Sequence, residues 1–383
     1  MIVNQGAFYL LAFATIGCLL AASIFVPNED GALSAAGTAI KKRASLLGSL
    51  WFLTSFIGVI LKVHQILGGS FADALDATTL TSYLTQTDLG RSMFFQMVAL
   101  AIVVVTLPLF KRALPLVVLT GISLIALIAP IFQSHAASSG SHQLAIGALV
   151  THVIALSLWV GGLFGIIMAP RELRISALYR FSALALWAAI AVVLSGVATA
   201  WTRLNERSAW NTQYAYVVIA KVILTVALFA MGWANRKALA FRDQMRLQEL
   251  VRLIAVEAMV MATVVLMGSW LSQIQPPKGD TANLSAAELI VGMKTPPAPS
   301  LWNLLMLYNP DALMIALLIT AVALYIKGVS VLKSRGDSWP VGRTIAFASG
   351  IALIDFATSG GLGVYALFSF EYHMMAHMLL GMI

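Results

Sequence analysis

Cysteine is almost absent from this 383-residue chain: Cys18 is the only one. A lone thiol excludes an intrachain disulfide and any multi-thiolate metal centre, so a transition-metal site in this chain has to use His, Met or carboxylate ligands. Charge is scarce as well. Asp, Glu, Lys and Arg make up 10% of the residues while hydrophobic residues make up 60%, against about 25% and 45–50% in ordinary soluble domains. Also missing are a Walker loop, a dinucleotide fingerprint, an HExxH motif and a Ser-His-Asp order in a credible context, which removes the common nucleotide, zinc-protease and serine-hydrolase readings.

What the chain has is long apolar runs. Stretches of about 20 residues, enough to cross a bilayer as a helix, fall near 7–26, 46–67, 92–110, 113–133, 144–168, 181–201, 216–233, 253–272, 309–326, 344–357 and from about 361 onward. None alternates with period two, so they read as helices rather than barrel strands. The expected fold is an all-α polytopic membrane helix bundle with about 11 transmembrane helices. The first run has no basic leader and no clear small-residue cleavage site, and is read as a retained helix rather than a signal peptide.

The formal net charge of +8 is distributed as a topology signal, not as a nucleic-acid footprint. Alternate connections hold Lys41, Lys42, Arg43, Lys111, Arg112, Arg171, Arg174, Arg180, Arg236, Lys237, Arg242, Arg246, Arg252, Lys327, Lys333, Arg335 and Arg343. The opposite connections hold only Arg91, Arg203, Arg207, Lys278 and Lys294. The positive-inside rule then places the amino terminus outside. The acidic segment 69–91, with Asp73, Asp76 and Asp88, is expected to be an external amphipathic loop.

Eight helices precede Gln275-Pro276-Pro277, and a polar stretch rich in proline follows, with a short amphipathic segment around 286–293. The expected organisation is a first membrane domain over 1–277, a linker over 278–300 and three helices over 301–383. Because the last apolar run, HMLLGMI, reaches Ile383, that second domain reads as cut short.

Candidate chemistry concentrates in histidines. His135 and His142 flank a Ser/Gly-rich loop, a spacing that fits two solvated side chains or, if the loop folds back, two converging ligands. His152 lies roughly 12 Å into the next helix at 1.5 Å per residue and shares a stripe with Leu156, Trp159 and Gly162. An imidazole at that depth requires a partner, either a metal or a polar group of a neighbouring helix. The Gly161-Gly162 pair suits close helix approach. Near the end of the chain, FEYHMMAHMLL puts His373 and His377 at i and i+4, with Met374 and Met378 one residue on. Two imidazoles and two thioethers within one turn suit copper, either Cu(I) or Cu(II), and also suit plain helix packing for the methionines. Other intramembrane polar residues are Lys62, His64, Lys221, Glu257 and Asp355. Both lysines can snorkel to the interface, and an ammonium beside an imidazole opposes cation binding unless it is turned away.

These residues carry a resemblance. The run SHAASSGSHQLAIGALVTHVIALSLWVGGLFGI, followed in order by FSALALWAAIAVVLSGVATAW, YAYVVIAKVILTVALFAMGWANRKAL and VEAMVMATVVLMGSWLSQIQPP, resembles the copper resistance D (CopD) family of bacterial inner-membrane proteins. The segment from Ser338, with His373-Met374-Met375-Ala376-His377-Met378, resembles the start of the CtaG family linked to cytochrome c oxidase assembly. The order of the two is that of actinobacterial CopD/CtaG fusions. The resemblance implies copper uptake or resistance in the inner membrane, with no catalytic turnover, joined to copper supply for the oxidase. It implies His135, His142 and His152 as CopD-type candidates and His373 and His377 as CtaG-type ones. Implied partners are the copper ion, a periplasmic copper chaperone, oxidase subunits and membrane lipid. Two other readings are a b-type haem electron carrier using His64 and His152 as axial ligands, and a metal-free oxidase scaffold.

Overall fold

In the computed structural model the described residues are 1–133, 142–204, 207–241, 247–272, 274, 285–291 and 293–382. They are overwhelmingly helical. In chain order the helices are α1 (Ile2–Leu20), α2 (Ala35–Leu67), α3 (Phe71–Leu75), α4 (Ala77–Gln86), α5 (Asp88–Thr106), α6 (Ala113–Ile128), α7 (His142–Met168) and α8 (Arg174–Arg203). Then come α9 (Gln213–Phe241), α10 (Leu247–Leu271), α11 (Ala286–Val291), α12 (Leu301–Met306), α13 (Ala312–Ser334), α14 (Val341–Thr358), α15 (Gly361–Ala366) and α16 (Phe370–Met382). Among the described residues nine helices are long and apolar enough to cross a membrane, and the protein is an all-α multi-pass membrane protein.

The apolar runs land on these helices, with three differences. The connection expected over 27–45 is mostly helix, because α2 begins at Ala35, where Ser34 Oγ accepts from Gly37 N at 3.2 Å. Before it lies a two-stranded hairpin, Asn28–Glu29 paired with Ala32–Leu33, turned by Asp30 and Gly31 at positive φ. The loop expected over 69–91 contains α3 and α4. Each has its own cap: Ser70 and Asp73 form a reciprocal capping box, Asp76 Oδ2 accepts from Thr79 N at 2.8 Å, and Thr87 Oγ1 accepts from Gly90 N at 2.9 Å to start α5. Third, the run from 361 is broken into α15 and α16 rather than one helix.

Two compact units emerge, and they are described separately. The first comprises Met1–Ser134, Val153–Val192 and Glu206–Pro277. Its centre is α1, whose residues Ala12 to Leu20 are all buried and which packs on α2, α6 and α10. The α1–α7 crossing is glycine-lined: a side chain at Gly17 would enter the Gly161 carbonyl, and one at Gly165 would enter that of Gly17. Such approach depends on having no Cβ. Leu80, Leu84, Met93 and Met97 pack on a small core of Val59, Ile60, Val63, Ala74 and Tyr83, which holds α3 and α4 against α2.

Basic residues of the expected cytoplasmic side close helix ends in this unit. Lys41, 8% exposed, donates to the carbonyls of Pro108 at 3.1 Å and Phe110 at 2.8 Å. Arg43 donates to Met168 O at 2.6 Å, and Arg174 to Ile167 O at 2.8 Å and Ala169 O at 3.1 Å. Carbonyls left unpaired at a helix C-terminus are favourable partners for cations.

The second unit comprises His135–His152, Val193–Asn205 and Lys278–Ile383. It therefore gathers the first turns of α7 and the last turns of α8 with the C-terminal helices. The polar stretch after α10 holds α11, capped by Ser285 and Glu288: Glu288 Oε2 accepts from Ser285 N at 2.8 Å, and Oε1 accepts from Thr295 N at 2.8 Å. Those amide donors pull the exposed Glu288 carboxyl down from 4.5 to about 2. A depressed carboxyl contributes stability above its unfolded value near 4.5 and loses it as pH falls through about 2. In a carbon-13 titration of the protein the Glu288 carboxyl should thus turn over near pH 2, and a midpoint near 4.5 would mean the cap does not form in solution.

Candidate functional site

His152 sits in α7 with its ring half-buried. Its Nδ1 lies 3.0 Å from Ser195 Oγ of α8, and a carbon placed on the neighbouring Gly196 would touch His152 Cε1 at 3.5 Å. The imidazole is thus clasped by a serine hydroxyl and a glycine backbone. Ser195 is 4% exposed, and Thr199 donates to its carbonyl at 2.8 Å. When Nδ1–H donates to Ser195 Oγ, the ring's lone pair is on Nε2. That is how a hydrogen-bonded neighbour orients a metal-ligating histidine.

The pair His373 and His377 lies on α16 with ring centroids 4.6 Å apart and planes crossing at 74°. Both side chains are exposed, as are Met374 at 42% and Met378 at 64%. An adjoining face of the helix holds it in place: Ala376 is buried with Ala357 and Leu362. The i,i+4 reading is therefore realised as two imidazoles presented together on a surface, with soft thioethers beside them. This donor set fits copper as a cargo ion rather than as a resident cofactor.

The remaining candidates are scattered. His64 ends α2 with its ring against Phe71, centroids 4.8 Å apart, and its Nδ1 is buried without a hydrogen-bond partner among the described residues. Lys62 turns to Gln65, with Nζ 3.2 Å from Oε1. His64 falls in the first compact unit and His152 in the second. Lys221 and Glu257 make a reciprocal pattern across α9 and α10. Lys221 Nζ lies 3.4 Å from where a Gly268 Cβ would be, and Glu257 Oε1 lies 3.7 Å from the same point at Gly232. The Lys221 ammonium has no hydrogen-bond partner among the described residues, an arrangement that opposes a cation beside it. Tyr308 donates to Asp355 Oδ1 at 3.0 Å, and partial burial followed by that carboxylate pushes the phenol above its ordinary 10.0.

Trp159 is buried and packs on Phe229, centroids 5.6 Å apart, while Gly161 meets the backbone of α1 and Gly162 meets the Phe181 ring. His135 lies outside the described residues, and so does the side chain of His142, although its backbone starts α7. Among the described residues no group of three or more His, Cys, Asp or Glu side chains comes together to hold a metal. Ser195 and Gly196 are the residues that sequence reading missed. Their signal is faint: a small polar residue and a glycine inside the apolar stretch of α8.

Three family models match the chain in order. Copper resistance protein D-like, N-terminal domain, covers residues 1–144; copper resistance protein D covers 175–271; and cytochrome c oxidase caa3 assembly factor (Caa3_CtaG) covers 323–383. Together the matches follow the order of a CopD-type region and then a CtaG-type region. Its curated relatives include uncharacterized protein Mb0105 of Mycobacterium bovis and uncharacterized protein MT0111 of Mycobacterium tuberculosis. Each is 25% identical over 390 residues, covering 93% of this chain and 52% of theirs. Uncharacterized protein ML1998 of Mycobacterium leprae is 23% identical over 375 residues, covering 95% and 54%. The chain thus spans about half the length of the curated relatives it matches. No solved structure matches it significantly. The CopD and CtaG regions point to copper handling and to oxidase assembly.

Proposed function

We propose that the protein takes up copper in a bacterial inner membrane and supplies it for cytochrome c oxidase assembly, without catalytic turnover of its own. The observation that carries this reading is that His152, oriented by Ser195, belongs to the same compact unit as the paired His373 and His377. In this reading copper enters from a periplasmic chaperone through the histidines around the start of α7. His152 holds it by a ring nitrogen, and the imidazoles and thioethers of α16 pass it toward oxidase subunits. Imidazole accepts either oxidation state, and thioether adds affinity for Cu(I). The His152→Ala change tests it: cellular copper accumulation at limiting external copper should fall to the level of cells lacking the protein. Wild-type accumulation by the variant, at equal protein level, would sink the reading.

The proposal keeps the 1–277, 278–300 and 301–383 organisation for the functional halves and places the amino terminus outside. With Cys18 replaced by serine, a membrane-impermeant maleimide should label Thr78→Cys in intact cells and reach Arg335→Cys only after lysis. The reverse pattern would invert the topology.

A further inference from the structure

The first turns of α7 make a close contact that the uptake reading does not use. Gly147 lies against the start of α13. A Cβ there would stand 2.7 Å from Leu313 N, 2.9 Å from Asp311 Oδ1 and 3.1 Å from Ala312 N. One turn later, Thr151 Oγ1 points to Ala312 O at 3.5 Å. Residues at i and i+4 share a helix face, so Gly147 and Thr151 form one docking edge, while His152, one residue on, faces Ser195 of α8.

The surface they meet is itself tied down. Asp311 Oδ1 caps α13 by accepting from Leu313 N at 2.9 Å and Met314 N at 3.1 Å. The Asp311 amide donates to Ser359 Oγ at 3.4 Å, and the Asn309 amide donates to Ser359 O at 2.8 Å. Ser359 follows α14 directly. Ala357 of α14 and Leu362 of α15 then bury Ala376, one of the three residues between the paired histidines. A continuous set of contacts therefore runs from the residue beside His152 to the seat of His373 and His377.

We propose that Gly147 and Thr151 are positioning residues forming a docking joint with Asp311 and Ala312, through which the CopD-type helix bearing His152 holds the CtaG-type histidines in place to receive copper. This rests on the uptake-and-supply reading. A side chain at Gly147 enters the α13 backbone and capping carboxylate, which cannot yield as a flexible side-chain tip could. Gly121 has nothing within 4 Å of the same point and serves as the control.

The test uses the full chain with Cys18 replaced by serine. A short bifunctional thiol reagent should join Thr151→Cys to Ala312→Cys, and should fail to join Thr151→Cys to Ser334→Cys at the far end of α13. Adding Gly147→Leu should abolish the first cross-link, and Gly121→Leu should not. At limiting copper, Gly147→Leu should lower oxidase copper content by about 2- to 30-fold, the range that substitutions along such contacts produce, while cellular copper accumulation per protein stays at wild type. A purely structural role would move both together. Should Gly147→Leu fail to reach the membrane, Gly147→Ala with Thr151→Val gives the same comparison. Absence of the first cross-link, or normal oxidase copper in a variant that has lost it, overturns the joint. If deleting the whole chain changes neither cellular nor oxidase copper, the uptake-and-supply reading fails instead, and the cross-link still decides whether the docking exists.

Discussion

Replacing both His373 and His377 with alanine should deprive the oxidase of copper at limiting supply while leaving the protein in the membrane at its normal level. The expectation of intact insertion follows from where the side chains are. Both imidazoles are exposed, so truncating them opens no cavity, and such surface changes usually stay within about 0.5 kcal/mol. The placement of α16 depends instead on Ala376 against Ala357 and Leu362, which the double change leaves alone. The functional loss should be large because the two rings, 4.6 Å apart, are the only imidazole donors of that helix turn. Met374 and Met378 alone form a weaker thioether pair suited only to Cu(I). Oxidase copper content measured by metal analysis decides it. A wild-type value in the double variant would reduce HMMAHM to helix packing.

The second large effect is expected at Ser195. Its hydroxyl lies 3.0 Å from His152 Nδ1 in a buried setting, and two outcomes of Ser195→Ala differ in kind. A structural hydrogen bond alone is worth about 0.5–1.5 kcal/mol, which would lower thermal stability and leave copper accumulation per folded protein unchanged. If the hydroxyl orients a metal-binding imidazole, losing it should weaken copper affinity by about 10- to 100-fold, and accumulation at limiting copper should fall accordingly. Ser195→Thr retains a hydroxyl at the same branch point and should restore most of it. Equal accumulation in Ser195→Ala and wild type across a copper titration would remove Ser195 from the site.

Which of these features could be read from the chain follows from the range of the interactions involved. Transmembrane helices are a local property, since about 20 apolar residues suffice, and the runs at 113–133 and 144–168 coincide with helices of the structure. The His373–His377 pairing was legible for the same reason: helical geometry alone puts i and i+4 on one face. The break between α15 and α16 was not, because hydropathy does not register what makes it. There Phe368 N and Ser369 N both donate to Tyr365 O, at 3.0 and 2.9 Å, closing a turn, and His373 N donates to Ser369 O at 3.1 Å to begin α16. The helices α3 and α4 were hidden in an acidic loop although their caps were in plain view, because helices of five and ten residues leave little periodicity to detect. Ser195 was invisible for a deeper reason. Its partner is 43 residues away, and nothing in a single sequence says which face of α8 meets α7.

The two carbonyl contacts of Lys41 have a consequence for how the protein sits in lipid. At 33 residues and 1.5 Å per residue, α2 is roughly 50 Å long, well beyond the ~30 Å apolar slab. Hydrophobic matching by itself would let such a rod slide or tilt over several ångströms at little cost. The ammonium bound to Pro108 and Phe110 removes that freedom, because a shift of a single turn breaks both bonds. Lys41 thus locks α2 in axial register with the chain just after α5, so α2 can shift in the slab only together with that neighbour. The height of His64 is fixed within the bundle rather than by hydrophobic matching.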